Sequence, residues 1–177
     1  NNESVDHIEG IAYTKEDLLG NLTYVKNPMP KMIDVNDLPM INWDKFNPNT
    51  YRAHNWHCFG EDKIESRSPY GVIWTSMGCA YPCDFCCINN LYSKRTFRFR
   101  DMKAVVEEID ILVNKYGVKH LRILDELFII KHPRIKEFCD LMDERDYDLN
   151  IWCYARVDSV TPDILKRLKK IILTYSI

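Results

Sequence analysis

The sequence predicts an α/β fold of about three β/α units, and three observations predict it. Short β-rich apolar runs recur from residue 70 onward, each is followed by a stretch with helical apolar spacing, and capping residues stand at the joints. Val72, Ile73, Trp74 and Thr75 form the first run, suited to a buried strand. Asp101 is placed as an N-cap; Val105, Val106, Ile109, Leu112, Val113 and Tyr116 follow at helical spacing, and Gly117 stops the helix. Residues 119–124 make a second buried strand. Pro133 suits the first turn of a helix that puts Ile135, Phe138, Cys139 and Met142 on one face. Residues 150–154 read as a third strand, and Thr161, Pro162 and Asp163 open a third helix with Ile164, Leu165 and Leu168 inside. Strands separated by helices run parallel, with right-handed crossovers. Such a sheet carries its ligand site at the carboxyl ends of its strands. Chemistry is therefore expected on residues 76–89, 125–128 and 155–159.

The chain divides at about Pro69, giving an irregular part over 1–68 and the α/β part over 69–177. Pro28, Pro30, Pro39, Pro48 and Pro69 fall in the first part with many Asn and Asp residues. Residues 10–13 and 22–25 are two short strands around a turn at Leu19, Gly20 and Asn21. Leu38, Pro39 and Met40, with residues 43–46, form an apolar strap that packs on something larger. Residue 1 is Asn and no methionine precedes Met29, so a processed chain or a fragment is expected.

Charge excludes several functions. The chain has 24 Lys and Arg against 26 Asp and Glu, a net charge of −2, which gives no bulk attraction to nucleic acid or membrane. No apolar run approaches the roughly 20 residues needed to cross a bilayer, and no signal-peptide pattern opens the chain. A soluble, cytoplasmic protein is expected. Seven cysteines in 177 residues lie below the roughly 8–10% of small disulfide scaffolds, and an odd number cannot pair completely.

Four of the seven, Cys79, Cys83, Cys86 and Cys87, cluster within the segment after the first strand. Cys79, Cys83 and Cys86 have the spacing C-x3-C-x2-C. Three thiolates on one short loop can hold three irons of a cubic iron–sulfur cluster, leaving the fourth iron for a substrate or cofactor. Gly78 permits the turn that lifts the loop off the strand, Pro82 stiffens it, and Phe85 can shield the cluster from water.

This pattern resembles the radical S-adenosylmethionine (radical SAM) superfamily, and within it the class that usually carries a cobalamin-binding domain upstream. The likeness extends over roughly residues 30–170. It includes a linker like Ile33-Asp34-Val35-Asn36-Asp37-Leu38-Pro39, an arginine-rich segment (Arg95, Arg98, Arg100), a helix like Val105-Val106-Glu107-Glu108-Ile109, and a second strand ending in Asp125-Glu126-Leu127-Phe128. The resemblance implies a partial (β/α) barrel of the radical SAM type, with 1–68 as the linker and end of an upstream region and 69–177 as the N-terminal half of the core. It implies a 4Fe-4S cluster on Cys79, Cys83 and Cys86 whose open iron chelates SAM. Reductive cleavage would give methionine and a 5′-deoxyadenosyl radical, in the service of cobalamin-dependent methyl transfer or cyclisation. Asp125 and Glu126 fall where the superfamily contacts the SAM amino group, although no Gly-Gly-Glu stands there. Arg156 is placed to face the SAM carboxylate or the substrate. A reductant such as flavodoxin or ferredoxin is the expected partner, with no membrane and no clear nucleic-acid binding.

Blander readings stand beside these. The loop also suits a zinc site or a non-catalytic interaction module; zinc normally takes paired ligand spacings, and beyond Cys58 and His57 no second pair is present. Cys87 offers a competing register, which the aromatic at Phe85 disfavours. Cys139 and Cys153 read as core residues. Asp125 and Glu126 could simply cap a strand end in solvent. The alternating bases and aromatics of residues 94–100 read as a loop edge or an intramolecular anchor. Arg145 and the cluster over residues 166–170 read as a wet helix face, and His54, Trp56 and His57 as a surface loop packing its Trp. The expected barrel needs about six β/α units; this chain supplies three and lacks the later SAM-contacting segments.

Overall fold

A computed structural model describes residues 4–54, 57, 63–92 and 94–170; Trp56, Cys58 and the apolar segment 171–173 lie outside the described residues. The chain divides after Asp34 into two compact units. The first is a hairpin of β1 (Ala12–Glu16) and β2 (Leu22–Lys26), paired antiparallel with Ala12 opposite Lys26 and Glu16 opposite Leu22. Its turn is fixed by Asp17, whose carboxylate accepts hydrogen bonds from the Leu19 and Asn21 amides at 2.8 and 2.9 Å. The first strand begins two residues later than the sequence pattern indicates. Gly10, at φ 77°, is a turn residue whose amide donates to Pro28 O.

The second unit holds the α/β fold. Its strands are β3 (Tyr70–Ile73), β4 (Ser76–Met77), β5 (Arg98–Phe99), β6 (His120–Ile123) and β7 (Asn150–Trp152). Its helices are α1 (Ile88–Leu91), α2 (Met102–Tyr116), α3 (His132–Asp143) and α4 (Pro162–Leu168). β3, β6 and β7 form a parallel sheet in that order, as the strand-helix alternation predicts. β4 and β5 add an antiparallel pair of two residues each, which no sequence pattern announces.

Caps and stripes explain the helices. Asp101 accepts from the Lys103 and Ala104 amides, satisfying donors at the start of α2, and Gly117 ends it at φ 68°, a conformation that costs a side chain little only when there is none. Thr161 caps α4 through the Ile164 amide. Val105, Val106, Ile109 and Leu112 of α2, Ile135, Phe138, Cys139 and Met142 of α3, and Ile164 and Leu168 of α4 are all buried. They pack with Ile73, Leu121, Ile123, Ile151 and Cys153 into one core. Two of the charged groups expected on a wet face instead tie helices together. Arg145 reaches Asp110 of α2 at 2.6 Å, and Arg167 of α4 reaches Asp140 and Asp143 of α3 at 2.7 and 2.6 Å.

The strap packs on α2, but through different residues than its apolarity suggests. Leu38, Met40 and Phe46 remain exposed, whereas Val35 and Trp43 are buried. Trp43 Nε1 donates to Glu108 Oε1 at 3.1 Å, and Arg100 Nη1 lies 2.8 Å from Glu108 Oε2. Arg100 also donates to Trp74 O, and its amide to Thr75 O, so it is the intramolecular anchor of the basic-aromatic run. Glu108 is fully buried, and a buried carboxylate deprived of its cation is strongly destabilising. Arg100→Met is expected to cost about 3 kcal/mol in urea unfolding of the chain, and Glu108→Gln, which keeps an acceptor for Trp43, distinctly less. Equal losses in both would remove the role given to the ion pair.

Candidate functional site

The cysteine loop leaves the sheet at the carboxyl end of β3. Two short elements set its exit: β4 pairs Ser76 with Phe99 and Met77 with Arg98, and Gly78 then turns at φ 84°. A Cβ on Gly78 would stand 2.6 Å from Thr96 O, closer than real atoms approach, so only glycine fits. Beyond it, Cys79, Cys83 and Cys86 are free and half-buried, and Cys87 is free and exposed at the start of α1. The Cys86 amide donates to Cys83 O at 3.1 Å, closing a turn within the loop. Among the described residues, no three His, Cys, Asp or Glu side chains are gathered closely enough to hold a metal ion. The donor chemistry nevertheless fits a thiolate-ligated cluster: three thiols, none in a disulfide, on one short loop. Phe85 is 95% exposed.

Asp125 follows β6, facing the base of that loop. It has no solvent exposure, and its carboxylate is fully engaged. Oδ1 accepts from the Thr75 amide at 2.6 Å, and Oδ2 from the Thr75 and Ser76 hydroxyls, the latter at 2.6 Å. Arg134, at the start of α3, donates to Thr75 O at 2.8 Å and to the Thr75 hydroxyl, with Nη2 3.9 Å from Asp125 Oδ2. Burial pulls its guanidinium down to about 10, which leaves it charged at neutral pH, and it lies between the rings of Phe99 and Phe128. Arg134 escaped the sequence reading, as did the role of Thr75 and Ser76 as donors to Asp125, although Ser76 falls within the segment where chemistry is expected.

The neighbouring Glu126 differs. It is half-buried, and its Oε2 is shielded from solvent without a hydrogen-bond partner. Arg156, beyond β7, comes to the cysteine loop itself. Its Nη1 donates to Cys83 Sγ at 3.8 Å, its guanidinium carbon lies 4.1 Å from the centre of the Tyr81 ring, and Nε and Nη2 donate to Asp158 at 2.9 and 2.7 Å. The structure thus brings Arg156 and the cysteine loop together, keeps Glu126 near the strand ends, and commits Asp125 to the interior. Cys139 and Cys153 are buried, and burial pushes their thiols up to about 11 and about 12, so both are packing residues.

His57 is half-buried beside the sheet residues Tyr70 and Trp152. Its ring lies 4.6 Å from that of Trp152, and Tyr70 OH is 3.3 Å from Nδ1. Arg122, whose guanidinium sits over Trp152 and Tyr154, adds a positive charge nearby.

No family model matches the chain. It is similar to an uncharacterized methyltransferase of Pyrococcus horikoshii, with 26% identity over 163 residues, covering 92% of this chain and 32% of that protein. It is also similar to anaerobic magnesium-protoporphyrin IX monomethyl ester cyclase of Rubrivivax gelatinosus, with 33% identity over 157 residues, 88% of this chain and 25% of that one. The fold is that found in the cobalamin-dependent S-adenosylmethionine radical enzyme OxsB, with a TM-score of 0.55 and 18% identity over 95% of this chain and 22% of the other. The chain therefore spans about a quarter to a third of the length of the curated relatives it matches.

Two consequences are measurable. Asp125→Ala leaves Arg134 and three donors without their acceptor and is expected to cost about 3 kcal/mol in urea unfolding, with Asp125→Asn between it and the parent. Burial, then Arg122 and His54, hold His57 down to about 4, against the ordinary 6.5 it regains on unfolding. The unfolded chain thus takes up this proton first: stability is full above pH 6.5 and falls as pH drops from 6.5 toward 4. In His57→Phe, unfolding measured across that window should show a shallower acid loss than in the parent.

Proposed function

We propose that the chain is part of a radical SAM enzyme, of the class whose members usually carry an upstream cobalamin-binding domain, and that Cys79, Cys83 and Cys86 hold a 4Fe-4S cluster that binds SAM; the methyltransferase and cyclase relatives and the fold shared with two radical SAM enzymes support this reading. The observation that carries this reading is the placement of three free, half-buried thiols on one loop at the carboxyl end of a parallel strand, with the Arg156 guanidinium against one of them. Cys79, Cys83 and Cys86 would hold the cluster, which when bound would supply the electron for reductive cleavage of SAM. The chain's own residues then have distinct tasks. Gly78 and the β4–β5 pair set where the loop leaves the sheet. Glu126, with an unpartnered oxygen, is better suited than the committed Asp125 to receive the SAM amino group. Arg156 remains near enough to the thiols to meet an anionic group bound there, and the exposed Phe85 ring is a surface that a bound group would cover.

For the whole protein we propose radical methyl transfer or cyclisation, supported by the methyltransferase and cyclase among its relatives. Cobalamin would come from an upstream domain, and the electron from a reductant such as flavodoxin or ferredoxin. Among the described residues no helix is long and apolar enough to cross a membrane.

Anaerobic reconstitution with iron and sulfide tests the reading. The expected result is an iron–sulfur spectrum that changes on adding SAM, is lost in Cys79→Ala, Cys83→Ala and Cys86→Ala, and survives in Cys87→Ala. Stoichiometric zinc uptake without any response to SAM would overturn it in favour of a structural metal module. Loss of the spectrum in Cys87→Ala would overturn the ligand register.

A further inference from the structure

We propose that Arg156 is a positioning residue that clamps the cysteine loop onto the end of β7, through the face of Tyr81 and a hydrogen bond to Cys83 Sγ. Its bearing on a cluster rests on the reading above, but the clamp itself does not. Four contacts radiate from one side chain. The guanidinium carbon is 4.1 Å from the Tyr81 ring centre, Nη1 reaches Cys83 Sγ at 3.8 Å, and Nε and Nη2 form a two-pronged pair with Asp158. The pair with Asp158 raises the guanidinium pKa further above its ordinary value, so the charge is permanent. The local backbone is braced as well: the Arg156 amide donates to Ser159 Oγ at 3.2 Å, and the Ser159 amide and hydroxyl both donate back to Arg156 O at 2.9 Å. Ser159 O in turn lies 3.0 Å from His132 Nε2 at the start of α3.

The geometry uses features that only arginine has. A planar guanidinium can hold a carboxylate along one edge, lie over an aromatic ring and still direct a further N–H at sulfur; a lysine ammonium cannot do all three. The clamp acts at the right place, because the loop is otherwise fixed at its base by Gly78 while its tip carries the exposed Phe85. Tyr81 and Cys83 lie between these points. A donor aimed at a ligand sulfur withdraws electron density from it, and hydrogen bonds to sulfur are among the factors that set the potential of an iron–sulfur cluster. Arg156 therefore both orders the loop before any cluster assembles and makes the assembled cluster easier to reduce.

Two readouts on the chain and its Arg156→Met, Arg156→Lys and Asp158→Asn variants test this. In the cluster-free chain, amide hydrogen exchange over residues 79–86 should quicken about fivefold in Arg156→Met and less in the other two, while α2 keeps its protection. In chains loaded anaerobically with iron and sulfide, the midpoint potential should fall in Arg156→Met, with partial recovery in Arg156→Lys. Unchanged exchange over the loop in Arg156→Met overturns the clamp, and an unchanged potential overturns its effect on the cluster. Failure of the parent chain to take up a cluster would overturn the function proposed above, and the exchange measurement would still decide the clamp.

Discussion

The interaction on which the rest of the structure depends is the buried carboxylate of Asp125. A parallel sheet holds its strands together only as far as the ladder runs. Here β3 and β6 stop at Ile73 and Ile123, with one further bond from the Leu124 amide to Ile73 O. Past that point the two chains would separate toward different loops. Asp125 spans the gap by accepting three hydrogen bonds from Thr75 and Ser76, and Arg134 closes the arrangement from α3. Taking a carboxylate and a guanidinium out of water costs several kcal/mol per ion, and the three donors on Asp125, with the Nη2 bonds of Arg134 to Thr75, offset that cost. What results is a fixed origin for the cysteine loop, with strand, loop and helix registered against one another.

That fixed origin contrasts with the loop's tip. From Gly78 backward, the backbone is pinned by β4–β5, by Arg100 on Trp74 O and by the Thr96 carbonyl that excludes any side chain at Gly78. From Cys79 forward, contacts among the described residues include a Cys86–Cys83 turn bond, the single-turn α1, a Tyr81–Phe97 ring contact, Arg98 over the Tyr92 ring and the reach of Arg156. A rigid base with a lightly held tip suits a loop whose three thiols must gather around one inserted group. Strain stays out of the sheet, and the rearrangement is confined to a few residues.

Much of this architecture is legible in the sequence, and the limits of legibility are physical. The helices were readable because their apolar stripes face a sheet, and because Asp101, Gly117 and Thr161 act through local chemistry with backbone groups two to four residues away. The cysteine spacing marked the loop for the same reason, since its ligands lie close together in the chain. The β4–β5 pair was not readable: two residues a side carry no period, and their pairing spans more than twenty residues. Arg134, Arg145 and Arg167 look like surface charges on amphipathic helices. Whether each meets a carboxylate depends on which helix packs beside it, a tertiary fact that spacing along one helix does not encode. The strap shows the same limit, since apolar Leu38 and Met40 stay outside while Trp43 enters, because Trp43 alone finds a buried acceptor in Glu108.

The adjacent acids Asp125 and Glu126 show how the fold separates roles that the sequence leaves together. Successive residues leaving a strand point to opposite sides. One carboxylate of such a pair is therefore directed into the strand junction and the other away from it. Asp125 has a short side chain and meets Thr75, Ser76 and Arg134, so it is saturated; Glu126, one residue on, keeps a shielded oxygen with no partner. The arginines divide by place instead: Arg134, over the rings of Phe99 and Phe128, holds the loop's origin, whereas Arg156, paired with Asp158, reaches across from β7 to its middle. The groups around Asp125 fix where the thiols begin, and Glu126 remains available to whatever the thiols bind. A ligand site at the carboxyl ends of parallel strands requires both sets, because without the first the second would have no fixed position from which to act.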